Sequence, residues 1–342
     1  MFRPEWRRNS RNQWFHLDPR TGKNLGPKNP PLDKWKQEGL RFPPGYDEVL
    51  VNIKHKKTPV RFIDKEGRTQ YQYWPHTLQK HRRKHWGRLH ELGPLFYQKV
   101  EPLLVKHKYP TKGDWEKEDV VRLMIWCSLE CGIRPGYPKY RDKHQSFGLT
   151  TMEKRHVKVS PSWGNPVEVK FRFPGKKQVL NECNACSRET DSANDKIWKT
   201  ALKNYVKWRA TQSPKSPSSV FWLNPETHEL IHPEVLNEWI QENIHEEMTM
   251  KDLRTWLVHT HLLKRLAEIP KDTPMNTKKA ILGAWREAIQ DVAEETHHTP
   301  AVCQSSYLHP QVKKDWLEQK IKNYKTLSPK KYLLKIWKKK IE

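Results

Sequence analysis

The sequence predicts an α+β protein in two parts: a small N-terminal antiparallel β domain, then a larger, mostly α-helical domain holding a short hairpin or three-stranded sheet. Three observations lead there. Short runs rich in β-branched and aromatic residues precede Tyr73, whereas from Trp86 onward apolar residues recur at helical spacing. Within that second part Val167, Val169, Phe171 and Phe173 alternate at a period of two, as a half-buried strand does.

At 342 residues the chain has room for about two domains. Its hydrophobic content is only 35%, but sixteen tryptophans let a few large side chains fill the cores. Lys+Arg 64 against Asp+Glu 39 leaves a net charge of +25, which attracts polyanions, nucleic acid first among them. No apolar run approaches the ~18 residues that span a bilayer. The start Met1-Phe2-Arg3-Pro4-Glu5-Trp6-Arg7-Arg8 lacks a signal-peptide apolar core, so a soluble intracellular protein with no membrane partner is expected. Five cysteines, an odd number in a long chain, do not read as a disulfide framework. Cys183 and Cys186 have metal or redox spacing, but no second pair or nearby histidine completes a four-ligand zinc site, and no metal is expected.

Taken in order, residues 1 to about 45 are rich in Arg, Asn, Pro and Lys; the first dozen are expected to be mobile, with a hairpin at Trp14-Phe15-His16-Leu17 and a turn at Asp18 to Gly22. Strands at Val49–Val51, Val60–Ile63 and Thr69–Tyr73, the last two joined by Asp64-Lys65-Glu66-Gly67, make a small antiparallel sheet. In the last strand Thr69, Tyr71 and Tyr73 face one way and Gln70 and Gln72 the other. Glutamine can bond adenine in the major groove and tyrosine can touch phosphate, sugar or base; the alternative is that one or both tyrosines belong to the sheet's core. The run His81-Arg82-Arg83-Lys84-His85 marks the boundary, dividing the chain into domains 1–83 and 84–342, as a hinge or as a solvated connector.

A helical pattern from Val120 ends at Gly132, a residue suited to a helix C-terminus, and sets Arg134 just beyond it. Strands at His156–Val159 and Val167–Phe173 flank the Pro/Gly-containing loop 160–166, and Pro174-Gly175 then turns the chain through Lys176 and Lys177. Asn194–Thr211 is an amphipathic helix whose aromatics are core, followed by a surface loop at 212–219 and a helix through Leu236, Trp239 and Ile240. Thr249 caps a helix carrying Lys251 and Arg254, three apart and so able to share a face. Asn276 or Thr277 caps the next, which stops at His297-His298-Thr299-Pro300 and leaves His298 at its end, nine residues before Tyr307. The lysine-heavy tail carries two helical stretches, around 312–324 and 332–341, suited to packing, to DNA or to solvation.

A free phenol titrates near ~10, so a reacting tyrosine needs cations that favour the phenolate and neutralise charge on its target. Arg134, Lys176, Lys251, Arg254 and His298 are the candidates; each alone is ordinary surface chemistry. In this order, with Lys65 to Tyr73 upstream, they resemble the constellation of the type IB DNA topoisomerases, in particular their small viral and bacterial, poxvirus-like branch. The resemblance covers roughly residues 45 to 310.

It implies the catalytic fold shared by tyrosine recombinases and these topoisomerases, with Tyr307 as nucleophile, Arg134, Arg254 and His298 on the phosphate, Lys176 as general acid and Lys251 as an auxiliary. It also implies DNA contacts from Arg68, Gln70, Tyr71, Tyr73, Arg82, Arg83, Lys84 and Lys177. The implied activity is relaxation of supercoiled double-stranded DNA through a 3′-phosphotyrosyl intermediate, by a monomer that clamps the duplex, with no ATP, metal or cofactor. The lack of a nucleotide-binding Gly-rich loop agrees. Family members often carry glycine where His297 stands. The alternatives are a tyrosine recombinase or integrase, which would assemble as a tetramer, and a non-catalytic DNA-packaging protein.

Overall fold

The structure, a computed structural model, describes all residues except 1, 66, 161–167, 186–190, 213–218, 271, 272, 274, 322–328 and 338–342, and all of their side chains but those of His90, Lys177 and Trp337. Cys186, most of the expected loops at 160–166 and 212–219, and parts of the expected tail helices therefore lie outside the described residues. Residues up to Gly87 cluster into one unit and those from Arg88 on into a second.

In the first unit β1 (Trp6–Arg8), β2 (Trp14–Leu17), β3 (Asn24–Pro27), β4 (Glu48–Val51), β5 (Val60–Ile63) and β6 (Thr69–Gln72) form one antiparallel sheet in the order β3-β2-β1-β4-β5-β6. Three of the first dozen residues, expected to be mobile, lie in β1, an interior strand paired on both sides. Trp6 packs edge-on against Trp35, and the buried Arg8 donates to the carbonyls of Phe42 (3.1 Å) and Pro43 (2.9 Å). Three residues, two of them arginines, are too few to show a period of two. The helix α1 (Leu32–Gln37) seats Trp35, 1% exposed, against Val49, Val51, Val60 and Phe62.

Strand β6 is an edge, and the core alternative fails for Tyr71: it is 49% exposed, with the Arg61 guanidinium 5.4 Å from its ring. Tyr73 is half-buried beside His81, and Arg68 is paired with Asp64 at 2.7 Å. The helix α2 (Pro75–Leu95) begins well before Trp86, because Pro75 needs no N–H at a helix start. It buries Trp86, Leu89 and Leu92 and leaves Arg82, Arg83 and Lys84 exposed. The basic run expected as a hinge or connector is therefore regular helix.

The second unit is mainly helical, through α3 (Glu101–Val105), α4 (Lys117–Glu130), α5 (Pro138–His144), α6 (Ala193–Thr211), α7 (Pro233–Asn243), α8 (Met250–Glu268), α9 (Lys278–Glu295), α10 (Pro300–Val302), α11 (Pro310–Leu317) and α12 (Pro329–Trp337). Helix α4 is buried from Asp119 to Leu129 except at Arg122, as befits a central element, and packs against α6, α7 and α8. The small sheet β7 (Val157–Ser160), β8 (Glu168–Pro174), β9 (Leu180–Asn184) is antiparallel with β8 central, burying Val169, Phe171 and Phe173 on one face. The tail packs: Trp316 donates to the Ile281 carbonyl (2.9 Å), Tyr332 donates to Asp315 (2.9 Å), and Leu333 and Ile336 are buried.

Among the described residues one bridge forms, Cys131–Cys183, which the count of cysteines alone spoke against. It joins the residue that ends α4 to β9. Among the described residues no group of His, Cys, Asp or Glu could hold a metal ion, and no helix is long and apolar enough to cross a membrane.

Candidate active site

Helix α8 presents the central cation. Thr249 caps it, with Asp252 completing a capping box, and the buried Asp252 also takes Arg88 from α2 at 2.5 Å. Two residues on, Arg254 points inward and is 2% exposed. Its guanidinium donates to the carbonyls of Gly132 (2.5 Å) and Thr296 (3.1 Å), while Nη2 lies 3.2 Å from His298 Nε2. Lys251 does not share that face: its side chain is exposed, so a spacing of three does not bring the two cations together here.

Two chain ends converge on Arg254. Gly132, at φ +61, follows the Cys131 cap of α4, and a Cβ there would meet the backbone of Glu295 (2.7 Å) and Thr296 (2.8 Å), so only glycine lets the two helix ends touch. Just beyond, Arg134 donates to the His297 carbonyl (2.7 Å), and its own carbonyl accepts from Leu149 N–H (2.7 Å). At the end of α9, His297 takes up φ +54, a conformation that favours glycine, and its Nε2 lies 3.0 Å from the Cys131 carbonyl. Where the resemblance leads one to expect glycine, this chain has a histidine whose ring ties the end of α9 to the end of α4.

Tyr307 ends a π-helical turn, Cys303–Tyr307, after α10. Such turns are rare and recur at functional sites because they re-aim one side chain. The segment beyond it is held by His259 of α8, whose Nε2 accepts from His309 N–H (2.9 Å). The Tyr307 ring is 4.2 Å from the His298 ring, centroid to centroid, and the Arg254 guanidinium carbon is 6.0 Å from it.

The electrostatics follow from burial and crowding of cations. Burial alone would raise the Tyr307 phenol, but the charges and hydrogen bonds of Arg254 and Arg134 outweigh it and hold the phenol below its ordinary range. Burial, then the charges of Arg254, Arg134, His297 and Lys176, push His298 down to about 2, so its imidazole is neutral. Burial lowers Arg254 to about 10, which leaves it charged at neutral pH. The site thus surrounds a buried phenol with positive charge.

Lys176 stands apart from this buried group, exposed in the 3-10 turn Lys176–Gln178 between β8 and β9. The turn is closed by Gly175 N–H on the Val179 carbonyl (2.8 Å), and a Cβ on Gly175 would collide with the buried Asn181 amide. Lys177 occupies the same turn, and its side chain is outside those described. Of the expected catalytic residues, then, Arg134, Arg254, His298 and Tyr307 come together, Lys176 lies near enough to bias His298, and Lys251 points to solvent. Thr296 and His259 were not legible as site residues. Nothing in their spacing separates them from ordinary helix positions.

Comparison with known proteins identifies the family. The family described as "Eukaryotic DNA topoisomerase I, catalytic core" matches residues 106–332. DNA topoisomerase 1B of Acanthamoeba polyphaga mimivirus is 26% identical over 273 residues, 79% of this chain and 75% of the relative. DNA topoisomerase I of Monkeypox virus is 24% identical over 177 residues, covering 52% of this chain and 47% of the relative, as is DNA topoisomerase 1B of Vaccinia virus (strain Copenhagen).

Proposed function

The chain belongs to the type IB DNA topoisomerase family, and from that membership we propose that it relaxes supercoiled double-stranded DNA as a monomer, with Tyr307 as its nucleophile. The observation that carries the residue assignment is the buried triad: Tyr307 against His298, His298 against Arg254. Such a cluster is built to meet a phosphodiester.

Tyr307, held below its ordinary range, gives up its phenolic proton to water and its oxygen attacks the phosphorus; a Tyr307 Oη–P bond forms and the P–O5′ bond breaks. Arg134 and Arg254 bind the non-bridging oxygens as fixed cations in a water-poor site, stabilising the charge that shifts in the pentacoordinate transition state without reorganising, and His298, neutral in the free protein, joins them as a donor when its Nε2 takes up a proton beside the phosphate. Lys176 delivers a proton to the departing 5′-oxygen, acid catalysis typically worth ~10²–10⁴ in rate. The 3′-phosphotyrosyl link conserves the bond energy, so the free 5′ end rotates and then reverses the attack. Lys251, exposed at the start of α8, is assigned to phosphate contact at the rim. The exposed Gln70, Tyr71, Arg82, Arg83 and Lys84, with Arg68, Tyr73 and Lys177, are assigned to the duplex; backbone contacts of this kind predict binding that weakens steeply with salt.

The test is relaxation of a negatively supercoiled plasmid in EDTA without ATP, comparing intact protein with Tyr307→Phe. Relaxation by the intact protein alone, with equal DNA binding by both, supports the reading. Equal binding with relaxation by neither refutes it and returns the recombinase, which needs two sites, or a packaging role.

A further inference from the structure

We propose that Thr296 is a positioning residue of the active site: its hydroxyl fixes the tautomer and ring orientation of His298, so that the lone pair on Nε2 faces Arg254 and the reacting phosphate. The inference rests on the reading of His298 as a phosphate ligand, but its geometry stands by itself.

Thr296 Oγ1 lies 2.6 Å from the Val292 carbonyl oxygen and 2.7 Å from His298 Nδ1. A carbonyl oxygen only accepts, so at that separation the single hydroxyl proton must lie between Oγ1 and Val292. What Oγ1 then offers His298 is a lone pair, and Nδ1 must carry the proton. The other ring nitrogen, 3.2 Å from Arg254 Nη2, faces a group that can only donate, and so it accepts. Both ends of the imidazole select the same tautomer. Thr296 is fully buried, so water cannot take over the role of its hydroxyl.

The carbonyl of the same residue accepts from Arg254 Nη2 at 3.1 Å. Thr296 thus orients both partners of the phosphate from one position: the arginine through its backbone, the histidine through its side chain. When an anionic phosphate takes up the Arg254 donors, Nε2 is already aimed at it. Protonation there turns that nitrogen into a donor without rotating the ring, since Nδ1–H keeps its acceptor. Which nitrogen of a histidine meets its target is set by the hydrogen bond the other makes.

Thr296→Val keeps the shape and removes the acceptor; Thr296→Ser keeps the acceptor. In the full chain, with single-turnover cleavage of a duplex read beside DNA affinity, Thr296→Val should cleave about tenfold or more slowly, because a buried N–H left without a partner disfavours the required tautomer. Its DNA affinity should stay close to that of the wild type, and Thr296→Ser should recover most of the rate. Imidazole ¹⁵N shifts of the wild type, free of DNA, should show His298 protonated at Nδ1 alone.

Three results would each overturn the proposal: an Nε2–H tautomer in the wild type, an undiminished rate in Thr296→Val, or an equal loss in the serine variant. If the wild type itself fails to cleave, the functional reading falls, while the tautomer measurement still decides the geometric claim.

Discussion

Replacing Gly132 by alanine separates two reasons for a glycine at the contact between α4 and α9. The left-handed backbone at φ +61 costs an alanine about 1–2 kcal/mol. The added Cβ would stand 2.7 Å from Glu295 O and 2.8 Å from Thr296 Cα, both backbone atoms that cannot swing aside. Forcing the two helix ends apart adds about 1–3 kcal/mol by analogy with overpacked cores. The total of about 2–5 kcal/mol corresponds to a fall in Tm of about 5–15 °C for a unit of this size.

Gly113→Ala is the control, since Gly113 also has positive φ, +94, but no atom lies within 4 Å of its added Cβ. Only the backbone cost of about 1–2 kcal/mol should appear there. Melting of both variants, with single-turnover cleavage measured well below Tm, reads the result. Cleavage should fall in Gly132→Ala beyond any unfolding, because the Gly132 carbonyl anchors Arg254. If Gly132→Ala melts no lower than Gly113→Ala and cleaves normally, the close contact is not what requires glycine.

His297→Gly should be nearly neutral in stability at pH 7, since relief of positive φ, about 1 kcal/mol, offsets the lost hydrogen bond to Cys131, also about 1 kcal/mol. Burial holds His297 down to about 4 from an ordinary 6.5, so its contribution is whole above 6.5 and lost as pH falls toward about 4; wild-type Tm should fall more steeply than the variant's across that window, and parallel curves would refute this. Glu295→Gln makes the matching case for a carboxylate: burial raises Glu295, but the His261 and Arg265 hydrogen bonds win and hold it at about 2 against 4.5. Its contribution is present above 4.5 and lost as pH falls toward about 2, so wild type and variant should converge in Tm over that range, and a constant gap would count against the network. Lys176→Ala should slow cleavage by about 10²–10⁴, and far less on DNA whose bridging 5′-oxygen is replaced by sulfur, since a thiolate leaves without a proton; equal losses on both substrates would remove Lys176 as the acid.

Much of the architecture was legible because its signals are local. The alternation from Val169 to Phe173, the glycine stop at Gly132, the Thr249 and Thr277 caps and the α6 stripe all depend on a few neighbouring residues, and each element formed where expected. Strand β1 was missed because its stability comes from Trp35 and from the carbonyls of Phe42 and Pro43, residues far along the chain. The start of α2 was missed because its early turns are charged and exposed, so no apolar stripe announced them.

By itself the sequence singled out the candidates for the chemistry: a tyrosine, two arginines, a histidine and a turn lysine, in an order that resembles one family. Only the tertiary structure decided which of them meet. Equal spacing on α8 sends Arg254 into the core and Lys251 to solvent, because burial is set by what packs against a helix and not by its period alone. It also decided that a threonine two residues before the histidine holds the ring, that a second histidine occupies a glycine's backbone conformation, and that Cys131 pairs with Cys183. These depend on distances between segments 42 to 166 residues apart or on a single helix end, and hydrogen-bond geometry at that scale is not written in spacing.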